Sequence, residues 1–434
     1  MGLCQHGIVS IVSDSAVRPR VVLVTSNFWP ERTGIGQVTT EFAQFLASRG
    51  IDVHVVTGMP YYPEWRIYPE YRGSLQRTER LGDVTIHRAW HHARPAPGAL
   101  SRIAHEATLS LFSIPNLARA MSEADVAYIV SPDLSHAFAA SLLAKAMDVP
   151  RVLMIQDVMP DAAIELGMLR NRFVIGGARR VARATYALAD EIRTLGEGMR
   201  QRIARESAPA TRISILPNAI DVDELWTGSE QGIPFREQFV PASTFAVVHA
   251  GNMGEKQDLE LLLRAARRMR EYDDIHFYVF GDGAVKAGFL GRRAEWELEN
   301  VSHFPFQERG MLPHMLHGAD AFLVSQSSSV VDIVVPSKLA TAFGAGAMVV
   351  ASCAENSETA RLVRESGGGI VIPAGDDEAL SRVILELKSG ELDSRPYREA
   401  GRAYARAHLD REQAYEAEAV AIRARSGNGR SHRV

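Results

Sequence analysis

Short apolar runs recur along the chain and alternate with segments of helical periodicity. In the first half the runs Arg20–Ser26, Asp52–Thr57, Val84–Ala89, Val126–Val130, Arg151–Gln156, Glu191–Leu195 and Arg212–Leu216 predict buried strands. Helical patterns at Gln37–Arg49, Ile103–Met121 and His136–Met147 lie between them. The second half repeats the scheme, with strands at Thr244–Ala250, His276–Gly281, Val301–Phe306, Ala321–Ser325, Met348–Cys353 and Gly369–Ile372, and helices at Leu259–Glu271 and Met311–Gly318. Four- to eight-residue apolar runs alternating with helices predict parallel sheets covered on both faces. Two such series of about 200 residues each predict two doubly wound α/β domains facing one another. The divisions expected are a tail over 1–19, a first domain over 20–222, a second over 223–400, a helix over 401–425 and a polar tail over 426–434. The stretch Asp410–Arg425 has no predetermined packing partner.

Composition narrows the classes. The chain has 434 residues, 46% of them hydrophobic, and a formal net charge of −4. That balance excludes a basic nucleic-acid coat. Two cysteines, Cys4 and Cys353, cannot form a disulfide framework, so a reducing compartment is expected. The N-terminal apolar piece Gly7–Val12 lacks a preceding basic region, and the run Leu339–Ala351 is too short to span a bilayer. A cytoplasmic protein follows as the expectation, with peripheral contact at the inner face of a membrane through the arginine-rich stretch Arg170–Arg205 as one reading; a solvated helix face is the commoner explanation of such a run. Of the 48 basic side chains only five are lysines: Lys145, Lys256, Lys286, Lys338 and Lys388. Against that arginine skew each lysine is conspicuous.

Ligands of open α/β sheets bind beyond the carboxyl ends of strands, where helix N-termini present free amides. After the first strand, Gly34-Ile-Gly36 opens a helix. Thr39 in place of a third glycine disfavours an NAD site. In the second half, Gly251-Asn252-Met-Gly254-Glu-Lys256-Gln places a glycine turn, an amide and a cation where a diphosphate would sit. The next strand runs into Gly281-Asp-Gly283, and Pro336-Ser337-Lys338 opens a later helix with a hydroxyl and a second lysine. Lys286 and Lys388 read as solvated helix faces. Asp221-Val-Asp223 has the spacing of a metal–nucleotide site but reads as a helix cap. The histidines, His91-His92 and His314 with His317 included, lack a zinc pattern. The aromatic loop Tyr61–Tyr71, Tyr62 and Trp65 included, either offers ring faces to a sugar or an apolar carrier or packs on its own domain.

The ordered strings T-G-I-G (33–36), Y-P-E-W (62–65), Q-D-V-M-P-D (156–161), L-P-N-A-I-D (216–221), G-N-M-G-E-K-Q (251–257), G-D-G (281–283) and P-S-K-L (336–339) resemble the retaining glycosyltransferases of family 4, nearest to the amino-sugar transferases of capsule and O-antigen assembly. The resemblance implies the GT-B fold, two Rossmann-like domains around a donor cleft. It implies metal-independent transfer of a sugar, with no cofactor beyond a nucleotide diphosphate sugar as co-substrate, to a small-molecule or lipid-linked acceptor. By position, Lys256 and Lys338 are the catalytic cations. Gly34, Gly36, Asn252, Gly254, Gly281, Gly283, Ser337 and Thr341 fall in the donor site, and Tyr62, Trp65 and Asp157 on the acceptor side. The family's pair of glutamates eight positions apart falls on Ile333 and Thr341, with Glu308 and Asp332 out of register. A sugar-nucleotide epimerase and a nonenzymatic partner subunit share the architecture and remain as alternatives.

Overall fold

The computed structural model describes residues 18–31, 34–165, 169, 171–208, 211–226, 228, 230–328 and 337–429. Thr33, Arg170, Asp332, Ile333, Pro336 and the side chain of Ser337 lie outside them.

The strands are β1 (Arg20–Val24), β2 (Asp52–Gly58), β3 (Gln76–Leu81), β4 (Val84–Ala89), β5 (Val126–Ser131), β6 (Arg151–Ile155), β7 (Glu191–Thr194) and β8 (Arg212–Ile215), then β9 (Phe245–Ala250), β10 (Ile275–Phe280), β11 (Val301–Phe304), β12 (Ala321–Ser325), β13 (Val349–Cys353) and β14 (Gly369–Pro373). The first eight form one sheet in the order β3-β4-β2-β1-β5-β6-β7-β8, and the rest a second in the order β11-β10-β9-β12-β13-β14. The two α/β units predicted from the apolar runs are therefore present. Each sheet is buried on both faces. Val22, Val24 and Ile129 point into one core of the first sheet, and Val21, Leu23 and Tyr128 into the other. In the second sheet Val248 and Phe280 face one core while Val247 and Val279 face its opposite. This period-2 division is why the strands read as continuous apolar runs instead of alternating ones.

β3 escapes that pattern. Its residues Gln76–Leu81 are polar and mostly exposed, because it is an edge strand pairing antiparallel with β4. Gly82-Asp83, with Gly82 at φ 57°, makes the tight turn between them and is the local signal for this hairpin.

The C-terminal segment joins both units. The helix Arg395–His408 packs on the second unit, where Ala405 and Leu409 enter its core. The helix Arg411–Gly429 then returns to the first, placing Tyr415, Ala419 and Ile422 in the core beside Phe42. The Tyr415 ring lies 5.0 Å from Phe42 and 5.5 Å from Phe45. Glu418 on this helix accepts from the Tyr128 hydroxyl and pairs with Arg193 at 2.7 Å, all three buried. A second joint is Glu358, 4% exposed, which takes the free amides of Glu197 and Gly198 at 3.1 and 3.3 Å. Those amides open the helix Glu197–Ala204 of the other unit, where a carboxylate is stabilising. Among the described residues no helix is long and apolar enough to cross a membrane.

Candidate active site between the two sheets

The carboxyl ends of both sheets face a shared cavity of about 670 Å³. Gly34, Glu41, Gln156 and Asp157 line it from the first unit; His249, Lys256, Gln257, Arg309, Lys338 and Thr341 line it from the second. A smaller cavity of about 250 Å³ adjoins it at Lys338, Arg309, Leu312 and Thr341, and is walled by Gly251, Phe280, Phe306, Glu308 and Phe322.

Lys338 sits one residue into the helix Ser337–Gly344 and lies across the turn after β9. A Cβ on Gly251, whose φ is 132°, would fall 2.3 Å from the Lys338 Cε, so only glycine leaves room for this side chain. The Lys338 Nζ donates to Gln257 Oε1 at 2.8 Å and lies 3.3 Å from His249 Nε2. His249 is fully buried, with Nδ1 3.1 Å from the Leu323 carbonyl. That contact puts the ring proton on Nδ1 and leaves Nε2 as an acceptor facing the lysine. Burial, reinforced by the Lys338 charge, holds His249 well below its ordinary range. Burial also pushes the Lys338 ammonium down to about 7. A cation held at the edge of ionisation gains most from an arriving anion.

Lys256 follows the same turn, and its carbonyl accepts from Ser327 at 2.9 Å. Asp157 faces it from the end of β6. Burial raises the Asp157 carboxyl, and the positive charge of Lys256 opposes that rise. On the same cavity wall Arg309 and Arg411 each reach Glu41 at 3.4 Å, tying opposite sides of the cleft.

The other glycines of the turns lie behind the cavity. A Cβ on Gly281 would fall 1.9 Å from the Gly251 carbonyl oxygen, and one on Gly283 2.4 Å from that of Met253 and 2.7 Å from Asn252 Oδ1. Their immediate cause is loop-on-loop packing: Met253 N donates to Asp282 O at 2.9 Å and Gly251 N to Phe280 O at 2.8 Å. Gly254 adjoins the Asn252 amide. In the first unit Gly34 sits at φ 60° with open space where a Cβ would be, while Gly36 packs against Glu31 and Asn27. Glu31 is the organiser that motif reading missed. Its buried carboxylate accepts from Phe28 N and Asn27 Nδ2 on one oxygen and from Tyr61 N and Tyr62 N, at 2.7 and 2.8 Å, on the other. It thereby ties the loop after β1 to the aromatic loop after β2. Burial raises its pKa while those donors pull it back.

Tyr62 and Trp65 belong to that aromatic loop and do not line the main cavity, whereas Asp157 does. Trp65 stacks edgewise on Tyr61 and His105. Asp221 accepts from Glu224 N at 2.8 Å and pairs with Arg411 at 2.6 Å, and Asp223 pairs with Arg406 at 2.7 Å, so the D-x-D spacing serves turn and tail contacts. Among the described residues no group of three or more histidine, cysteine or carboxylate side chains is placed to hold a metal ion. Gln257 and His249 carried one faint signal each, adjacency to Lys256 and a polar residue inside an apolar strand.

Comparison with known proteins fits this layout. The family described as Glycosyl transferase 4-like domain matches residues 33–219, and Glycosyl transferases group 1 matches residues 244–389. The putative colanic acid biosynthesis glycosyl transferase WcaI of Escherichia coli (strain K12) is 28% identical over 403 residues, 91% of this chain and 97% of the relative. Among solved structures, HepE of Anabaena in complex with UDP superposes with a TM-score of 0.69 at 13% identity, over 94% of this chain and 100% of that one. Sucrose-phosphate synthase from Thermosynechococcus elongatus gives 0.70 at 14% identity, over 94% and 99%. With a 4-like domain on the first sheet and a group 1 domain on the second, the chain belongs to the glycosyltransferases of the GT-B fold, the family its ordered motifs resemble.

Proposed function

We propose that this glycosyltransferase moves a sugar from a nucleotide diphosphate sugar to a hydroxyl acceptor in glycan or glycolipid assembly, with retention at the anomeric carbon and without a metal ion. The observation that carries the reading is the convergence of Lys256 and the Lys338–Gln257–His249 cluster on one cavity, opposite Gly34 and Asp157 of the other unit. Breaking the bond from the sugar to the diphosphate places negative charge on the leaving oxygens. Preorganised cations stabilise that charge more in the transition state than in the bound donor. Retention follows a same-face departure in which a leaving diphosphate oxygen takes the acceptor proton. The smaller, phenylalanine-walled cavity beside Lys338 suits a nucleobase, with Thr341 and Glu308 at hand for the ribose. The named roles of the relatives support the donor class, since HepE is described with UDP and WcaI with colanic acid biosynthesis. An amino sugar is the donor favoured by the motif branch.

Peripheral membrane contact from the cytoplasmic side fits the helix Arg172–Leu188. Phe173 at 82% and Val174 at 42% exposure stand beside Arg172 there, an apolar tip with a basic flank.

A thermal-shift panel of nucleotide diphosphate sugars tests the donor, since a ligand that binds only the folded state raises the unfolding midpoint. Incubation of a stabilising donor without acceptor then separates the enzyme classes. The transferase reading expects an unconverted donor, and epimerised sugar would overturn it.

A further inference from the structure

β12 delivers a buried amide to the cleft. Gln326 directly follows its last residue, is 7% exposed and lines the 670 Å³ cavity together with Ser325, Lys256 and Lys338. The backbone is fixed on both sides of it. Gln326 N donates to the Ser352 carbonyl of β13 at 2.8 Å, Ser325 Oγ to the Asp258 carbonyl at 2.8 Å, and Ser327 N to the Lys256 carbonyl at 2.9 Å. These bonds lock the chain around Gln326 to the loop that carries Lys256.

A glutamine amide has an acceptor oxygen and two N–H donors, and the end that faces a ligand decides what it recognises. Here the oxygen is engaged within the protein. Thr359, 1% exposed in the first turn of the helix Glu358–Ser366, donates its hydroxyl to Gln326 Oε1 at 2.7 Å. A buried hydroxyl needs an acceptor, and the carbonyl four residues back, that of Glu355, already accepts from Arg364 at 2.9 Å. With Oε1 taken, Nε2 keeps both hydrogens and has no hydrogen-bond partner among the described residues. The helix behind Thr359 is anchored as well. Ser357 caps it by accepting from Ala360 N at 3.2 Å, and Glu358 holds the amides of Glu197 and Gly198 in the other unit. The amide of Gln326 is therefore preorganised as a pair of donors in the cavity wall.

We propose that Gln326 is a specificity-determining residue that reads the transferred sugar. Its Nε2 donates to a neutral oxygen on that sugar, a hydroxyl or the carbonyl of an acylamino group, and Thr359 is the positioning residue that points it there. The proposal rests on the donor reading of this cleft. Location selects the sugar over the rest of the donor. The smaller cavity, which suits the nucleobase, is lined by Lys338 and Thr341 but not by Gln326. With the base there and the diphosphate beside Lys338 and Lys256, the next group of the donor is the sugar. Gln326 lies in the larger cavity with these cations, and Asp157 and Leu195 of the first unit line that cavity too. Chemistry then selects the atom. An amide whose oxygen is already bonded can only give hydrogen bonds, so it favours an oxygen acceptor over an apolar face. A sugar without an oxygen at that place leaves a buried donor unpaired, which is how a fixed polar group discriminates between close analogues.

The test is calorimetric titration of the full chain with UDP, UDP-glucose, UDP-galactose and UDP-N-acetylglucosamine, and with GDP and GDP-mannose, as probes. The ratio of affinities for a nucleotide sugar and its bare nucleotide isolates what the sugar contributes. Gln326→Met keeps the side-chain length and lacks both donors. It should weaken the preferred nucleotide sugar roughly 3- to 10-fold, the weight of one neutral hydrogen bond, with the bare nucleotide unchanged. Thr359→Val should lower the same ratio and Thr359→Ser restore it, whereas a merely structural Thr359 would lower the melting midpoint and leave the ratio alone. A loss confined to UDP-N-acetylglucosamine places the acylamino carbonyl at Nε2, and a loss shared by UDP-glucose places a hydroxyl there. The Thr359 pair carries the same comparison if Gln326→Met fails to fold. An unchanged ratio in the folded variants, or equal weakening of nucleotide and nucleotide sugar, overturns the role of Gln326 and leaves the donor reading standing. A wild-type protein that binds none of the probes overturns both.

Discussion

Lys338 offers the sharpest link between structure and solution behaviour. Its ammonium is buried among Gly251, Gln257 and His249, and that burial holds it at about 7. At pH 8.5 only roughly 3% of the free protein carries the charge. A nucleotide diphosphate sugar has no phosphate proton to lose between pH 7 and 8.5, so a bound diphosphate beside Nζ must draw its cation from solution. Binding then takes up close to one proton at pH 8.5, and the observed affinity falls by roughly tenfold per pH unit above 7. Stability of the free protein moves the other way. Because folding lowers this lysine below its unfolded value of 10.5, the unfolded chain binds more protons between those limits, and stability rises with pH from about 7 upward. The assay is calorimetric titration of UDP-glucose in buffers of different ionisation enthalpy at pH 7.0 and 8.5, repeated on Lys338→Met. Wild type should show the proton uptake, and the variant should bind weakly with no such uptake. A pH-independent affinity without proton exchange in the wild-type protein would refute the placement of the diphosphate at Lys338.

Two further predictions concern the frame around the cleft. Glu418→Ala removes the acceptor of the buried Tyr128 hydroxyl and of Arg193 Nε while leaving Arg193 its Glu191 partner at 2.8 Å, which should cost about 1–3 kcal/mol in denaturant unfolding, with Glu418→Gln recovering part of it. A loss below about 1 kcal/mol would show that the tail helix does not hold the first unit. Gly281→Ala drives a Cβ into the Gly251 carbonyl at φ 152°, and overpacking of about 2–3 kcal/mol should lower the melting midpoint by roughly 4–12 °C. Gly288→Ala, which meets nothing within 4 Å inside the helix Lys286–Glu295, should leave it unchanged or raise it slightly.

The strands of both sheets were legible because residues such as Val21–Val24 and Ala246–Val248 are buried on two faces, which compresses the signal into unbroken apolar runs. β3 was not legible from hydrophobicity, since Arg77, Glu79 and Arg80 lie on a polar strand at a sheet edge. The lysines of the site stood out through scarcity and through the glycine turn before Lys256. What those turns do was less visible: Gly281 and Gly283 fit their own neighbouring loop, a long-range contact that no local pattern encodes. The same holds for Glu31, whose carboxylate gathers donors from two loops about 30 residues apart in the chain, and for His105 and His136, which lie on two helices, Ala99–Met121 and Leu134–Ala146, that pack on each other. The return of the Arg411–Gly429 helix to the first sheet depends on Tyr415 and Ile422 finding the Phe42 core, again a tertiary outcome.

The central claim is that cations at the cavity stabilise a leaving diphosphate, and Lys256→Ala measures it most directly. At saturating donor and acceptor, transfer by this variant should fall by about 2–3 orders of magnitude, the scale of removing one preorganised oxyanion donor, while the fold and its melting midpoint persist. Turnover equal to that of the wild-type enzyme would contradict the account.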